Sequence, residues 1–302
     1  QCSALMLLQA ARTLRHWGEM IKFSHTVFAL PFALSSMVVA AKPTQGWPGW
    51  RPFLLILLAL VTARTCAMTF NRIVDRRFDQ LNPRTMNRHL VTGKVSLRSA
   101  WALCGFSGLG FILTCWFINP TCFGLSFLAL PFVCFYSLTK RFTDFTHVYL
   151  GVALGLAPLG AWLAVTGSLA LAPVILSTAV VFWLIGFDII YATQDYEFDR
   201  SQGLHSIIVR WGIKNSLQAA FISHFIMWLL LASFGLILGF RLAYFGGMVV
   251  MAICLLLEHW LARKRSLKWI NFAFFRLNAL ISIVFFVVTT VEILFPMFRI
   301  RA

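Results

Sequence analysis

Long apolar runs separated by short polar connections organise this chain. A helix needs roughly 20 apolar residues to cross a bilayer. Runs of about that length fall at 23–41, 52–71, 99–117, 120–138, 147–166, 170–191, 215–239, 243–262 and 273–295. Pro43 and Pro48, Pro120, and the stretch from Gly167 to Pro173 mark breaks between them. The pattern predicts an all-α, polytopic membrane protein of nine transmembrane helices, with residues 23–302 forming a single unit. The first 22 residues set Arg12, Arg15, Glu19 and Lys22 among apolar positions. They read as an interfacial segment and lack the order of parts of a cleavable signal.

Composition agrees. Of 302 residues, 60% are hydrophobic and 12% charged, about half the usual soluble share of roughly 25%. A soluble globule with that balance would have a surface almost without charge. The net charge of +16 resembles a nucleic-acid signature, but the basic residues lie between apolar spans and form no soluble module, so no nucleic acid is expected. Anionic lipid headgroups and anionic substrates suit it better. The run from Arg263 to Lys268 reads as a lipid contact. Seven cysteines include no C-x-x-C pair, and six lie inside apolar runs as small hydrophobes.

The basic residues also predict orientation. With the nine spans numbered in order, and Arg276 at the start of span 9 counted with the connection before it, 20 of the 26 Lys and Arg residues fall in the N-terminal segment and the connections after spans 2, 4, 6 and 8. Five fall on the other side, and Arg64 lies within span 2. Positive-inside bias then puts the N-terminus and the basic connections in the cytoplasm.

Acidic residues are scarce, ten in all, and two segments concentrate them. The connection after span 2 begins Asn71-Arg-Ile-Val-Asp75-Arg-Arg-Phe-Asp79; span 6 ends Asp188-Ile-Ile-Tyr191-Ala-Thr-Gln-Asp195-Tyr-Glu-Phe-Asp199. Spacings of three and four put each set on one helical face. Arg64, seven before Asn71, shares the first face deeper in the membrane. Carboxylates stacked at i, i+4 repel, so positive charge should offset them. Magnesium would do so: it prefers oxygen ligands and shares phosphate oxygens with one or two carboxylates. Two such helices facing each other would hold a diphosphate between metal ions.

These segments resemble the aspartate-rich motifs of the UbiA superfamily of intramembrane aromatic prenyltransferases. The first, with its continuation Asn82-Pro-Arg-Thr-Met-Asn-Arg88, resembles N-x-x-x-D-x-x-x-D and the R-T-x-x-R run that follows it. The second resembles D-x-x-Y-A-x-x-D-x-x-x-D, and Tyr136-Ser-Leu-Thr-Lys140-Arg141 is similar to the family's Y-x-x-x-K-R turn. The resemblance implies nine helices around a central cavity. Asn71, Asp75, Asp79, Asp195 and Asp199 would hold Mg2+ against a polyprenyl diphosphate, bound also by Lys140, Arg141 and Arg88. Asp188 and Tyr191 would act at the reacting groups. Arg64 would clamp the carboxylate of an aromatic acid, unless it serves as an internal ion-pair partner. The implied activity is transfer of the prenyl group to a 4-hydroxybenzoate-type acid in ubiquinone or menaquinone synthesis, in the inner membrane of a bacterium with the active site facing the cytoplasm.

The chain also departs from the pattern. Arg72 stands where many relatives have Asp, and His89 replaces the proline expected after Arg88. The stretch from Ile21 to Phe32, which includes His25, is closer to the menaquinone branch, where the acceptor is a dihydroxynaphthoate. Prenylation of a haem- or chlorophyll-type acceptor stays open. A rival class is a cation-coupled transporter or lipid-diphosphate flippase, which should show polar, broken helices at the bilayer midplane. His205, His224 and His259 lack ligand spacing, and Glu258 and Glu292 near span ends read as interfacial.

Overall fold

A computed structural model describes residues 16–20, 28–263 and 266–295. These are helical, with no strand among them. The long helices are α2 (Trp50–Val74), α4 (Leu97–Ile118), α5 (Pro120–Thr139), α6 (Thr146–Thr166), α7 (Leu171–Ala192), α9 (Ile207–Leu238), α10 (Leu242–Ala262) and α12 (Asn278–Leu294). Short helices are α1 (Ala29–Ala40), α3 (Arg76–Leu81), α8 (Tyr196–Ser201) and α11 (Leu267–Phe272), the last joined to α12 by a π-turn at Ala273–Leu277. Eight spans among the described residues are long and apolar enough to cross a membrane, and α1 is apolar but shorter. Residues 21–27, the start of the run expected at 23–41, lie outside the described residues, as do His25 and most of the segment expected at the interface. Residues 264 and 265 of the basic run lie outside them too.

α7 is central, packing on α6 and α9; α1 packs on α6 and α12, and α12 on α10. Phe32, Trp183, Tyr244 and Phe285 are fully buried where these helices meet. α2, α4 and α5 instead present Leu54, Leu58, Phe106, Leu113, Phe127 and Leu128 outward. That surface would be unstable in water and suits hydrocarbon.

Small residues set the closest helix approach. An added Cβ at Gly151 of α6 would come 2.8 Å from the Val181 carbonyl of α7, and one at Gly155 would come 3.0 Å from that of Ser177. The two glycines, four apart, let backbones meet as small-xxx-small pairs do in membranes. At Gly186 of α7 a methyl group would collide with the imidazole of His224 on α9. Gly186→Ala should therefore force the helices apart and cost about 1–3 kcal/mol of stability, as overpacking does. An unchanged thermal unfolding midpoint in detergent would contradict this.

Polar groups inside the bundle correct two expectations. Glu258 and Glu292 are 0% and 1% exposed and not interfacial. Glu292 Oε1 accepts from the backbone N–H of Arg241 and of Tyr244, both at 3.1 Å. It caps the first turn of α10, whose N–H groups have no partners within the helix. Glu258 accepts from Asn278 Nδ2 at 2.9 Å, and Asn278 accepts from the Trp183 indole at 2.8 Å. His224 and His259, unrelated by spacing, are hydrogen-bonded across α9 and α10 at 2.9 Å.

Candidate active site

Both acidic segments cross joints in their helices without losing their common face. α2 ends at Val74 and α3 begins at Arg76, yet the amides of Asp75 and Asp79 still bond to the carbonyls four residues back, at 3.0 and 2.8 Å. α7 passes through a 3-10 turn at Thr193–Asp195 into α8. Asn71, Asp75 and Asp79 from the first segment, and Asp188, Tyr191, Asp195 and Asp199 from the second, line one cavity at the end of the bundle. Asp79, Asp195 and Asp199 are buried. Arg72, Arg84, Arg88, Lys140 and Arg141 line the same cavity.

The cavity therefore holds five carboxylates and five basic side chains. The positive charge that the stacked carboxylates require is present within the protein. Arg84 grips Asp195 with two bonds, Nε to Oδ1 at 2.8 Å and Nη2 to Oδ2 at 2.5 Å, the fork geometry that makes such pairs strong. Arg88 Nη1 meets Asp79 Oδ1 at 2.6 Å. The end of α5 serves both segments: Lys140 Nζ lies 3.0 Å from Asp199 Oδ2, while Arg141 lies 3.7 Å from Asp75 and donates to the Val74 carbonyl at 2.8 Å. Burial alone would lower the Lys140 pKa, but Asp199 and Asp195 hold it above the ordinary lysine range. Burial and the neighbouring Asp79 push Asp75 up to about 6, against the pull of Arg141, Lys140 and Arg88.

Sequence spacing did not reveal three members of this network. Asn82 donates to Asp195 at 3.2 Å, and its Oδ1 accepts from the Arg84 backbone N–H at 2.9 Å. Arg84 also reaches the Tyr191 hydroxyl at 3.1 Å, and the Tyr191 ring stacks on Phe274 with centroids 4.1 Å apart. Arg72, noted only as a departure, is buried, donating to Asn71 Oδ1 at 2.9 Å and to the Met20 carbonyl at 3.3 Å. It turns the Asn71 amide so that Nδ2 donates to Asp75 at 2.7 Å. Leu90 and Val95 pack with Met20 and Ala100, anchoring the connection that carries Arg84 and Arg88.

Among the described residues, no three His, Cys, Asp or Glu side chains come together to hold a metal ion. The donor chemistry nonetheless fits magnesium completed by a diphosphate: the five candidates offer only oxygen (or amide) groups, and magnesium takes one or two carboxylates with phosphate oxygens and water. Arg64 stands apart. It is half-buried in α2, one turn below Met68, and does not line the cavity.

The fold and site thus define a helical membrane protein whose two acidic segments interlock with basic side chains in one cavity. The sequence matches the UbiA prenyltransferase family over residues 29–280, and the chain belongs to that family. It is 34% identical over 243 residues to the 4-hydroxybenzoate octaprenyltransferase of Methylobacillus flagellatus, covering 80% of this chain and 81% of the relative. The enzyme of the same name from Alcanivorax borkumensis is 33% identical, covering 77% and 80%. A UbiA homolog from Aeropyrum pernix K1 superposes with a TM-score of 0.79 at 30% identity, over 89% of this chain and 98% of that one. A homolog from Archaeoglobus fulgidus bound to GPP and Mg2+ shares the fold, with a TM-score of 0.69 at 22% identity over 91% and 99%. The protein is an aromatic prenyltransferase by these relationships.

Proposed function

We propose that this enzyme transfers a polyprenyl group from a polyprenyl diphosphate to an aromatic acid of the 4-hydroxybenzoate type, with Mg2+, as a step in ubiquinone or menaquinone synthesis. The observation that carries this reading is the single cavity in which Asp75, Asp79, Asp195 and Asp199 face Arg84, Arg88, Lys140 and Arg141. The names of the curated relatives support the acceptor, and the GPP- and Mg2+-bound fold relative supports the donor. Asn71, Asp75, Asp79, Asp195 and Asp199 are the residues that would hold magnesium, which when bound stabilises negative charge on the departing diphosphate. Arg88, Lys140 and Arg141 bind the diphosphate oxygens. This placement aims fixed positive charge at the atoms that become more negative as the allylic C–O bond breaks. Asp188 and Tyr191 lie on the same wall, where the prenyl fragment and the ring meet.

Incubating the purified protein with magnesium, a long prenyl diphosphate and a panel of aromatic acids tests this directly. Prenylated 4-hydroxybenzoate is the expected product. A prenylated dihydroxynaphthoate would move the enzyme to the menaquinone branch, and no transfer to any acid would overturn the reading.

Orientation follows from charge. The 20-to-5 division of basic residues puts the cavity on the cytoplasmic side, against anionic headgroups of a bacterial inner membrane. Reporter fusions after residues 90, 140, 205 and 266 should read cytoplasmic, and those after 46, 119 and 168 external. An external signal at residue 90 would reverse the topology and the route of substrate entry.

A further inference from the structure

One cavity residue has no part in the chemistry above. His147, near the start of α6, is 1% exposed, and its Nδ1 lies 2.7 Å from Asp188 Oδ2. Its Nε2 is buried with no hydrogen-bond partner. Such groups are uncommon in folded proteins and call for a reason. The contact is built into the helix pair. His147, Gly151 and Gly155 are four residues apart on one stripe of α6, and the glycines bring that stripe against the α7 backbone at Val181 and Ser177. Running antiparallel, the same stripe brings His147 to Asp188.

The partners determine the hydrogen positions. An ionised carboxylate only accepts, so Nδ1 must donate to Asp188. Asp188 is thus held by one oxygen and only partly buried, with its side chain 20% exposed. Its other oxygen, Oδ1, takes no hydrogen bond among the described residues and belongs to a side chain lining the cavity.

We propose that His147 is a positioning residue that orients Asp188, and that Asp188 Oδ1 takes the proton the acceptor ring must lose. This rests on the prenyl-transfer reading and adds its last step. Transfer forms a bond between the allylic carbon of the donor and a ring carbon beside the acceptor's hydroxyl. The allylic C–O bond breaks, and its electron pair leaves with the diphosphate. The attacked ring carbon then carries both the prenyl group and its original hydrogen. Aromaticity returns when the C–H electron pair goes back into the ring and the proton passes to Asp188. The carboxylate becomes a neutral carboxylic acid that still accepts from His147 Nδ1–H, so the pair survives the step.

The test uses the full chain with geranyl diphosphate, 4-hydroxybenzoate, and 4-hydroxybenzoate deuterated at both positions beside the hydroxyl. His147→Leu removes the donor; His147→Asn keeps an N–H near the position of Nδ1. Wild type should turn over both acids at the same rate. His147→Leu should lower kcat roughly a hundredfold, within the range of general-base contributions, and turn over the deuterated acid more slowly, because proton loss has become limiting. Binding of a non-reactive thio-analogue of geranyl diphosphate should be unchanged, and His147→Asn should restore most of kcat and abolish the isotope effect. Equal rates for both acids in His147→Leu, or equal loss of analogue binding and turnover, would overturn the proposal. A wild-type enzyme that prenylates no acid would bring down the prenyl-transfer reading itself.

Discussion

Replacing Asp195 with alanine or with asparagine should lower turnover by roughly a thousandfold, about 4 kcal/mol of transition-state stabilisation. Asp195 lies at the centre of the cavity network, accepting from Arg84 twice and from Asn82. Two roles are compatible with that position. Asp195 can bind magnesium, or it can hold the connection that carries Arg84 and Arg88 over the cavity. The asparagine variant separates them: it keeps an oxygen for Arg84 and for Asn82 but loses the charge a hard cation requires. If Asp195 serves the metal, both variants lose activity and manganese binding, read by electron paramagnetic resonance in the presence of a diphosphate analogue. If it serves only the connection, asparagine rescues. Asp75→Ala, on the facing segment, should behave as Asp195→Ala does. Full activity in either alanine variant, with the protein folded and inserted, would refute joint metal binding.

The spans were legible because twenty apolar residues in a row have few places to go other than a bilayer. The start expected at 215 falls close to a real break: α9 opens at Ile207 with a short piece carrying Arg210, and the non-helical Gly212 (φ 74°, ψ 162°) separates that piece from the long apolar helix that follows. The acidic faces were legible for a local reason: i, i+4 spacing survives the joints at Asp75 and Asp195. Arg84 and His147 were not, because one meets its partner from a connection and the other across a helix packing, and no spacing encodes either contact. Arg84 finds Asp195 111 residues away, and His147 finds Asp188 41 away. Glu292 misled in a related way. A carboxylate near a span end is indistinguishable in sequence from an interfacial one, whereas here the start of α10, about 50 residues upstream, makes it a buried cap.

The cavity also bears on the transporter alternative. A site for an ion in transit would lie at the midplane on broken helices, with access to both sides. In this protein the joints in α2–α3 and α7–α8 come at the ends of the apolar runs, and the carboxylates are cross-linked to cations from the end of α5 and from the 82–95 connection. That arrangement fits chemistry at one membrane face.

Arg64→Lys should lower kcat/KM for the aromatic acid roughly a hundredfold while leaving diphosphate affinity nearly unchanged. The argument is positional. α2 runs unbroken from Trp50 to Val74, so Arg64 lies seven residues, about 10 Å along the axis, below Asn71 on the same face. Met68, one turn above Arg64, is where the lining of the cavity by α2 begins. An aromatic acid entering past Met68 with its hydroxyl toward the metal-binding end would carry its carboxylate down to the guanidinium. A carboxylate taken up by a planar fork gains two charge-assisted bonds in a partly buried place, worth a few kcal/mol. Lysine keeps the charge and loses the fork. The donor diphosphate should be indifferent, because Arg88, Lys140 and Arg141 pair with Asp79, Asp199 and Asp75, and Arg64 is outside that network. The measurement compares acceptor kinetics with affinity for a non-reactive prenyl diphosphate analogue, in wild type and in Arg64→Lys. Equal weakening of both substrates would make Arg64 a structural ion-pair partner and leave the acceptor's carboxylate to be recognised elsewhere.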